Sequence, residues 1–187
     1  MSEYSQSHIV WYGIVTFLTR IRQYVAILKV MNTIPYKENP FLETAMGAVE
    51  QQLLLDVAKL FDPAYYNKRE ENCSLNLLKQ LCLTDQKRFP KGETDPLIGK
   101  IDEKSGKFKS VVSKRLRDKK IAHHDLTAMF NDELGHVIFG DAVSLIEEMS
   151  DLTIEIGERL MGPTLQYPSL SALEDAYQNA FNELTKK

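Results

Sequence analysis

Apolar residues recur at steps of three and four along almost the whole chain, and nowhere do they alternate with polar ones long enough to make a strand. A stripe with that period lines one face of an α-helix, so the chain is confined to packing helices against one another. Ile14, Phe17, Leu18, Ile21, Val25, Leu28 and Met31 predict a first helix from about Ser5 to Asn32, ahead of Pro35. Asn39-Pro40 pairs a capping residue with a first-turn proline, and Leu42, Met46, Val49, Leu53, Val57 and Leu60 carry a second helix toward Asp62-Pro63. These two should lie antiparallel. Ser74 caps a short apolar helix to about Leu83, and the stretch from Thr84 to Thr94, with Pro90 and Gly92, reads as a surface loop.

Asp95-Pro96 opens a longer helix through Ile98, Ile101, Phe108, Val112 and Leu116 to about His123, with Gly106 a weak point in its middle. Leu126 to Gly140 reads as irregular because it holds Gly135 and Gly140. Asp141 then caps a helix carrying Ala142, Leu145, Met149, Leu152, Ile156 and Leu160, which Gly162-Pro163 stops, and a last amphipathic helix runs from Ser169 to Lys186. The expected architecture is all-α: one domain over residues 1–187, an antiparallel helical bundle with a short extra helix and an irregular segment after its basic helix.

A chain of 187 residues buries enough surface to stand without a disulfide or a structural metal. Hydrophobic residues at 43% and charged ones at 26% exclude extended disorder. Cys73 and Cys82 lack zinc-ligand spacing and lie in an apolar segment, which predicts buried, reduced thiols. The apolar run from His8 to Leu18 covers about half a bilayer and is broken by Tyr12, Gly13 and Thr16. Glu3 stands where a signal peptide would be basic, so the expectation is a cytoplasmic protein with no membrane partner.

Charge is divided sharply along the chain. From Lys100 to Lys120 nine basic residues face three acidic ones, whereas Asp132 to Glu158 holds eight acidic residues and no lysine or arginine. Two readings follow. The segments are helix faces that attract one another, or the basic one faces phosphate, with Lys114, Arg115, Lys119 and Lys120 as RNA contacts. The second reading gains from where the basic segment ends, at Arg117-Asp118-Lys119-Lys120-Ile121-Ala122-His123-His124-Asp125. Histidine exchanges protons near neutrality, and an arginine fork can hold two phosphate oxygens. Together they suffice for acid/base cleavage of RNA with no metal and no cofactor.

Which histidine serves is open from spacing alone. On an unbroken helix His124 lies almost above Arg117, and His123 is rotated about 120° away. A metal set of His123, His124, Asp125 and His136 is conceivable, and His124-Asp125 has the form of a phosphohydrolase dipeptide. Only His8 precedes it, however, far from where a further ligand would be wanted. Glu133 and His136 make one Glu-x-x-His unit where di-iron bundles need two. Trp11, Tyr12, Tyr24, Tyr36, Tyr65 and Tyr66 could stack on bases, but aromatic residues at helical spacing more often fill a core.

With these residues assembled, the chain resembles the HEPN superfamily, and within it the abortive-infection group of AbiU type. The superfamily signature is an arginine, a polar residue and, after four to six intervening positions, a histidine; Arg117, Asp118 and His123 match it. Leu116, Lys119, Ala122-His123 and Asp125 match the AbiU-type surroundings. Leu55-Asp56-Val57-Ala58-Lys59-Leu60-Phe61-Asp62 with Ser74-Leu75, and Ile138-Phe139-Gly140-Asp141, are similar to other segments of that group, so the resemblance covers about Ser5 to Leu160. It implies a helical homodimer that cuts RNA without a metal, in phage defence or as a toxin with a cognate antitoxin. In that scheme His123 is the general acid or base, Arg117 the phosphate contact and Asp118 the orienting residue, with His124 and Asp125 as alternative or supporting groups. Many HEPN domains bind without cutting. The alternatives are therefore a non-catalytic RNA- or nucleotide-binding protein and a helical interaction protein.

Overall fold

The computed structural model describes residues 5–34, 39–66, 70–111, 133–163 and 166–185. They form six α-helices: α1 (Gln6–Met31), α2 (Pro40–Leu60), α3 (Leu75–Thr84), α4 (Pro96–Val111), α5 (Glu133–Met161) and α6 (Leu170–Thr185). The caps expected from sequence do their work. Asn39 accepts hydrogen bonds from the backbone N–H groups of Phe41 and Leu42, ahead of the first-turn Pro40. Ser74 accepts from Leu77 at the start of α3. At the end of α5, Gly162 takes φ +90°, a conformation that suits a residue without Cβ.

Helix α1 is the hub, packed against α2, α3, α5 and α6. Its expected stripe is the core: Ile14, Leu18, Ile21, Val25, Leu28 and Met31 are all buried, with Phe17 at the margin. Side-chain pairs give the directions. Arg20 meets Asp56 and Lys59 lies over the Phe17 ring, so α2 runs antiparallel to α1. His8 and Trp11 reach the carbonyls of Leu160 and Thr153, so α5 does too. Arg22 and Lys29 meet Pro168 and Glu174, so α6 runs with α1.

Helices α1 and α5 approach closely at Trp11 and Gly157. A Cβ on Gly157 would fall 2.4 Å from the Trp11 ring, so glycine at this position leaves room for the indole edge against α5. The ring is buried and its Nε1–H donates to the Thr153 carbonyl at 2.8 Å, which satisfies its one polar group. Beside it, the backbone N–H of Ser5 donates to His8 Nδ1 at 3.2 Å. That leaves Nε2 protonated to donate to the Leu160 carbonyl at 3.3 Å, so His8 ties the start of α1 to the end of α5.

Two expectations need correction. Helix α5 is already formed at Glu133, so Gly135, Gly140 and Asp141 lie within it and the helix does not begin at Asp141. A glycine costs a helix only about 1 kcal/mol, which packing of a long helix overrides. Helix α4 runs through Gly106 without a break, as expected. A strand pair exists where none was expected: Tyr65–Tyr66 pairs antiparallel with Glu70–Glu71. Two residues are too few for alternation to register in a sequence. Among the described residues, no helix is long and apolar enough to cross a membrane.

Candidate functional site

Helix α4 leads toward the Arg117–His123 motif and α5 follows it, and ion pairs clamp the two together. Lys100 reaches Glu155 at 2.6 Å and Lys107 reaches Glu148 at 3.2 Å, while Lys104 also binds Glu148. Rising numbers on α4 meet falling numbers on α5, so the helices are antiparallel, and Val111 lies toward the end of the bundle from which α5 enters.

Lys104 is the most enclosed of the three lysines, with a side chain 13% exposed. Its hydrogen bond to Glu148 raises its pKa above the ordinary lysine value. Glu148 is held below the usual carboxylate range by hydrogen bonds from Lys104 and then Lys107. Glu103 is lowered by the same two lysines, with Lys104 the larger influence. Lys100, Lys104 and Lys107 are thus paired with glutamates of α5. For Lys100, Lys104 and Lys107 the reading of two attracting helix faces is the one that holds. Their spacing on two antiparallel helices is the signal that charge counts alone pass over.

At the opposite end of α4, Asp95 is 4% exposed. One of its oxygens accepts from the backbone N–H of Leu97 at 3.0 Å, capping α4, and the other binds Arg159 in the last turn of α5. The Arg159 guanidinium lies 5.1 Å from the centre of the buried Phe89 ring. Nearby Cys82 is buried, and desolvation pushes its thiol up to about 12, so it is inert at neutral pH. Both cysteines are free thiols.

Arg117, Asp118, His123, His124 and Asp125 lie outside the described residues, as do Lys114, Arg115, Lys119 and Lys120. The choice between His123 and His124 falls there too. Tyr36 is also outside. Trp11 is core, whereas Tyr12 is largely exposed.

Two buried charges were not singled out from the sequence. Asp56, with no exposed surface, meets Arg20 at 3.1 Å and Lys59 at 3.6 Å and accepts from Gln52. Arg22 is buried between α1, α5 and the start of α6. A signal existed for both. Arg22 is four residues after Leu18 and three before Val25, and Asp56 is three after Leu53 and four before Leu60, so both sit on core stripes.

No curated protein and no solved structure matches the chain. The family model HEPN AbiU2 matches residues 17–181, which takes in α1 from Phe17, the motif segment and α6 as far as Phe181. That span includes nearly the whole bundle, and the chain therefore belongs to the AbiU2 family of HEPN proteins.

Proposed function

We propose that this protein is a metal-independent endoribonuclease of a phage-defence or toxin-antitoxin system, with Arg117 and His123 as its working pair. The observation that carries the reading is the AbiU2 match itself, because residues 17–181 contain Arg117-Asp118 and His123 at HEPN spacing within one helical bundle. In the reaction proposed, His123 moves a proton at the ribose 2′-oxygen or at the leaving 5′-oxygen. Arg117 stabilises the charge that grows on the phosphoryl oxygens, and Asp118 orients the pair. Lys114, Arg115, Lys119 and Lys120 hold the RNA backbone. One chain offers one such set, whereas cyclising cleavage uses both a base and an acid. The working unit is accordingly a homodimer with two sets at one cleft, in a reducing, cytoplasmic setting that keeps both thiols free. A cognate antitoxin protein is a further partner on this reading.

The pairing of Lys100, Lys104 and Lys107 with α5 favours a second reading, in which the basic strip is structural and the domain binds without cutting. One experiment separates them: purified protein is incubated with total RNA, with and without EDTA, beside His123→Ala. The expected outcome is cleavage that survives chelation and falls about a hundredfold or more in the variant. Cleavage abolished by EDTA, or undiminished in His123→Ala, overturns the assignment, and binding without cleavage supports the second reading.

A further inference from the structure

Arg22 is 7% exposed, and the structure gives it no carboxylate partner among the described residues. Its Nη1 donates to Ser150 Oγ at 3.2 Å and its Nη2 to the Pro168 carbonyl at 3.0 Å, both neutral acceptors. Its Nε–H is buried and has no acceptor among the described residues. Tyr167, whose ring centre lies 5.6 Å from the guanidinium carbon, carries a buried hydroxyl that also lacks a partner. A buried cation opposed only by neutral dipoles is costly unless something balances its charge.

A third feature has the same polarity. Pro168 directly precedes Ser169, whose Oγ accepts from the Ala172 backbone N–H at 3.1 Å and so caps the N-terminus of α6. The positive end of that helix therefore lies beside the guanidinium. Guanidinium, idle hydroxyl donor and helix N-terminus all favour negative charge. Two idle donors match the needs of a small monovalent anion better than those of a phosphate, which would ask for more.

We propose that the Arg22 Nε–H and the Tyr167 hydroxyl, at the junction of α1, α5 and α6, hold a small monovalent anion of the chloride class. The bound ion would balance Arg22 and tie α1 to the start of α6.

Thermal unfolding of the full chain in sodium chloride, against sodium gluconate at matched ionic strength, separates site binding from general screening. Gluconate is too large to take the place of a halide. At ten times the dissociation constant the midpoint should be about 3 to 6 °C higher in chloride. Tyr167→Phe, which removes only a hydroxyl, should lose most of that difference, and Arg22→Met all of it. Should Arg22→Met fail to fold, Tyr167→Phe still decides. Chloride-35 line broadening, weakened in Tyr167→Phe, would report the ion directly. Equal midpoints in the two salts, as a water at the site would give, overturn the proposal, and so does a chloride increment retained in full by Tyr167→Phe.

Discussion

Helix α5 is held on two sides by different physics. Against α1 it presents Gly157, Ile156 and Leu160 to a buried indole and buried aliphatic side chains. Against α4 it presents Glu148 and Glu155 to three lysines at the surface. The first contact relies on shape and on removing apolar area from water, which salt hardly touches. The second relies on charge near solvent, where each pair contributes little and is screened. A bundle built this way keeps its rigid attachment at its hub. Its adjustable attachment lies on the helix that leads to Arg117 and His123.

The contrast breaks most readily at Trp11. Trp11→Ala empties the space that Gly157 leaves for the ring and strands the Thr153 carbonyl contact, so unfolding should cost about 3 to 5 kcal/mol less, by the same amount at low and high salt. A loss below 1 kcal/mol in denaturant titrations would mean that this side is not the rigid one.

Asp95 sharpens the contrast, since it belongs to the ionic side yet is buried. Asp95→Asn keeps the capping oxygen for Leu97 and removes only the charge facing Arg159. With the Arg159 side chain 34% exposed, the expected loss is about 1 to 2 kcal/mol, discounted from a fully buried pair. It should persist in 1 M salt, and a loss that vanishes there would place Asp95 with the surface pairs.

The smallest effect belongs to Glu148→Gln, under about 1 kcal/mol at low salt and none at 1 M. Its pH course follows from the two shifted groups. The lowered pKa of Glu148 contributes stability that is present above the ordinary carboxylate value of about 4.3 and lost as pH falls through its lowered value. The raised pKa of Lys104 contributes below the ordinary lysine value of about 10.4 and is lost as pH rises through its raised value. The difference between wild type and variant should therefore be flat from pH 5 to 9 and shrink in acid. A difference that grew in acid would show that the clamp is not ionic.

The core was legible because burial leaves a period. The expected stripes of α1, α2 and α5 point inward, through Ile14, Leu18, Leu53, Leu60, Leu145 and Leu160, whereas on α6 Leu170 is buried and Ala180 is exposed. The stripes also run through Arg22 and Asp56, which polarity disguises: a period read only from apolar residues skips a charged group that the core has accommodated. The start of α5 was misplaced because Gly135 and Gly140 weigh on local propensity, whereas a long helix draws its stability from tertiary contacts. The catalytic reading came from a residue pattern, Arg117-Asp118 with His123, whose geometry lies outside the described residues. The pairing of its flanking lysines with α5 required knowing that α4 and α5 are antiparallel.

Helix α1 is made early and completed late. Its His8 contact lies 152 residues ahead of its acceptor at Leu160. At roughly 5 to 20 residues per second, a ribosome takes about 8 to 30 s to close that distance. Throughout that interval, of the described helices packed on α1, Trp11, Ile14 and their neighbours have α2 and α3 to cover them. The nascent chain thus carries a helix whose apolar face stays half covered until α5 emerges.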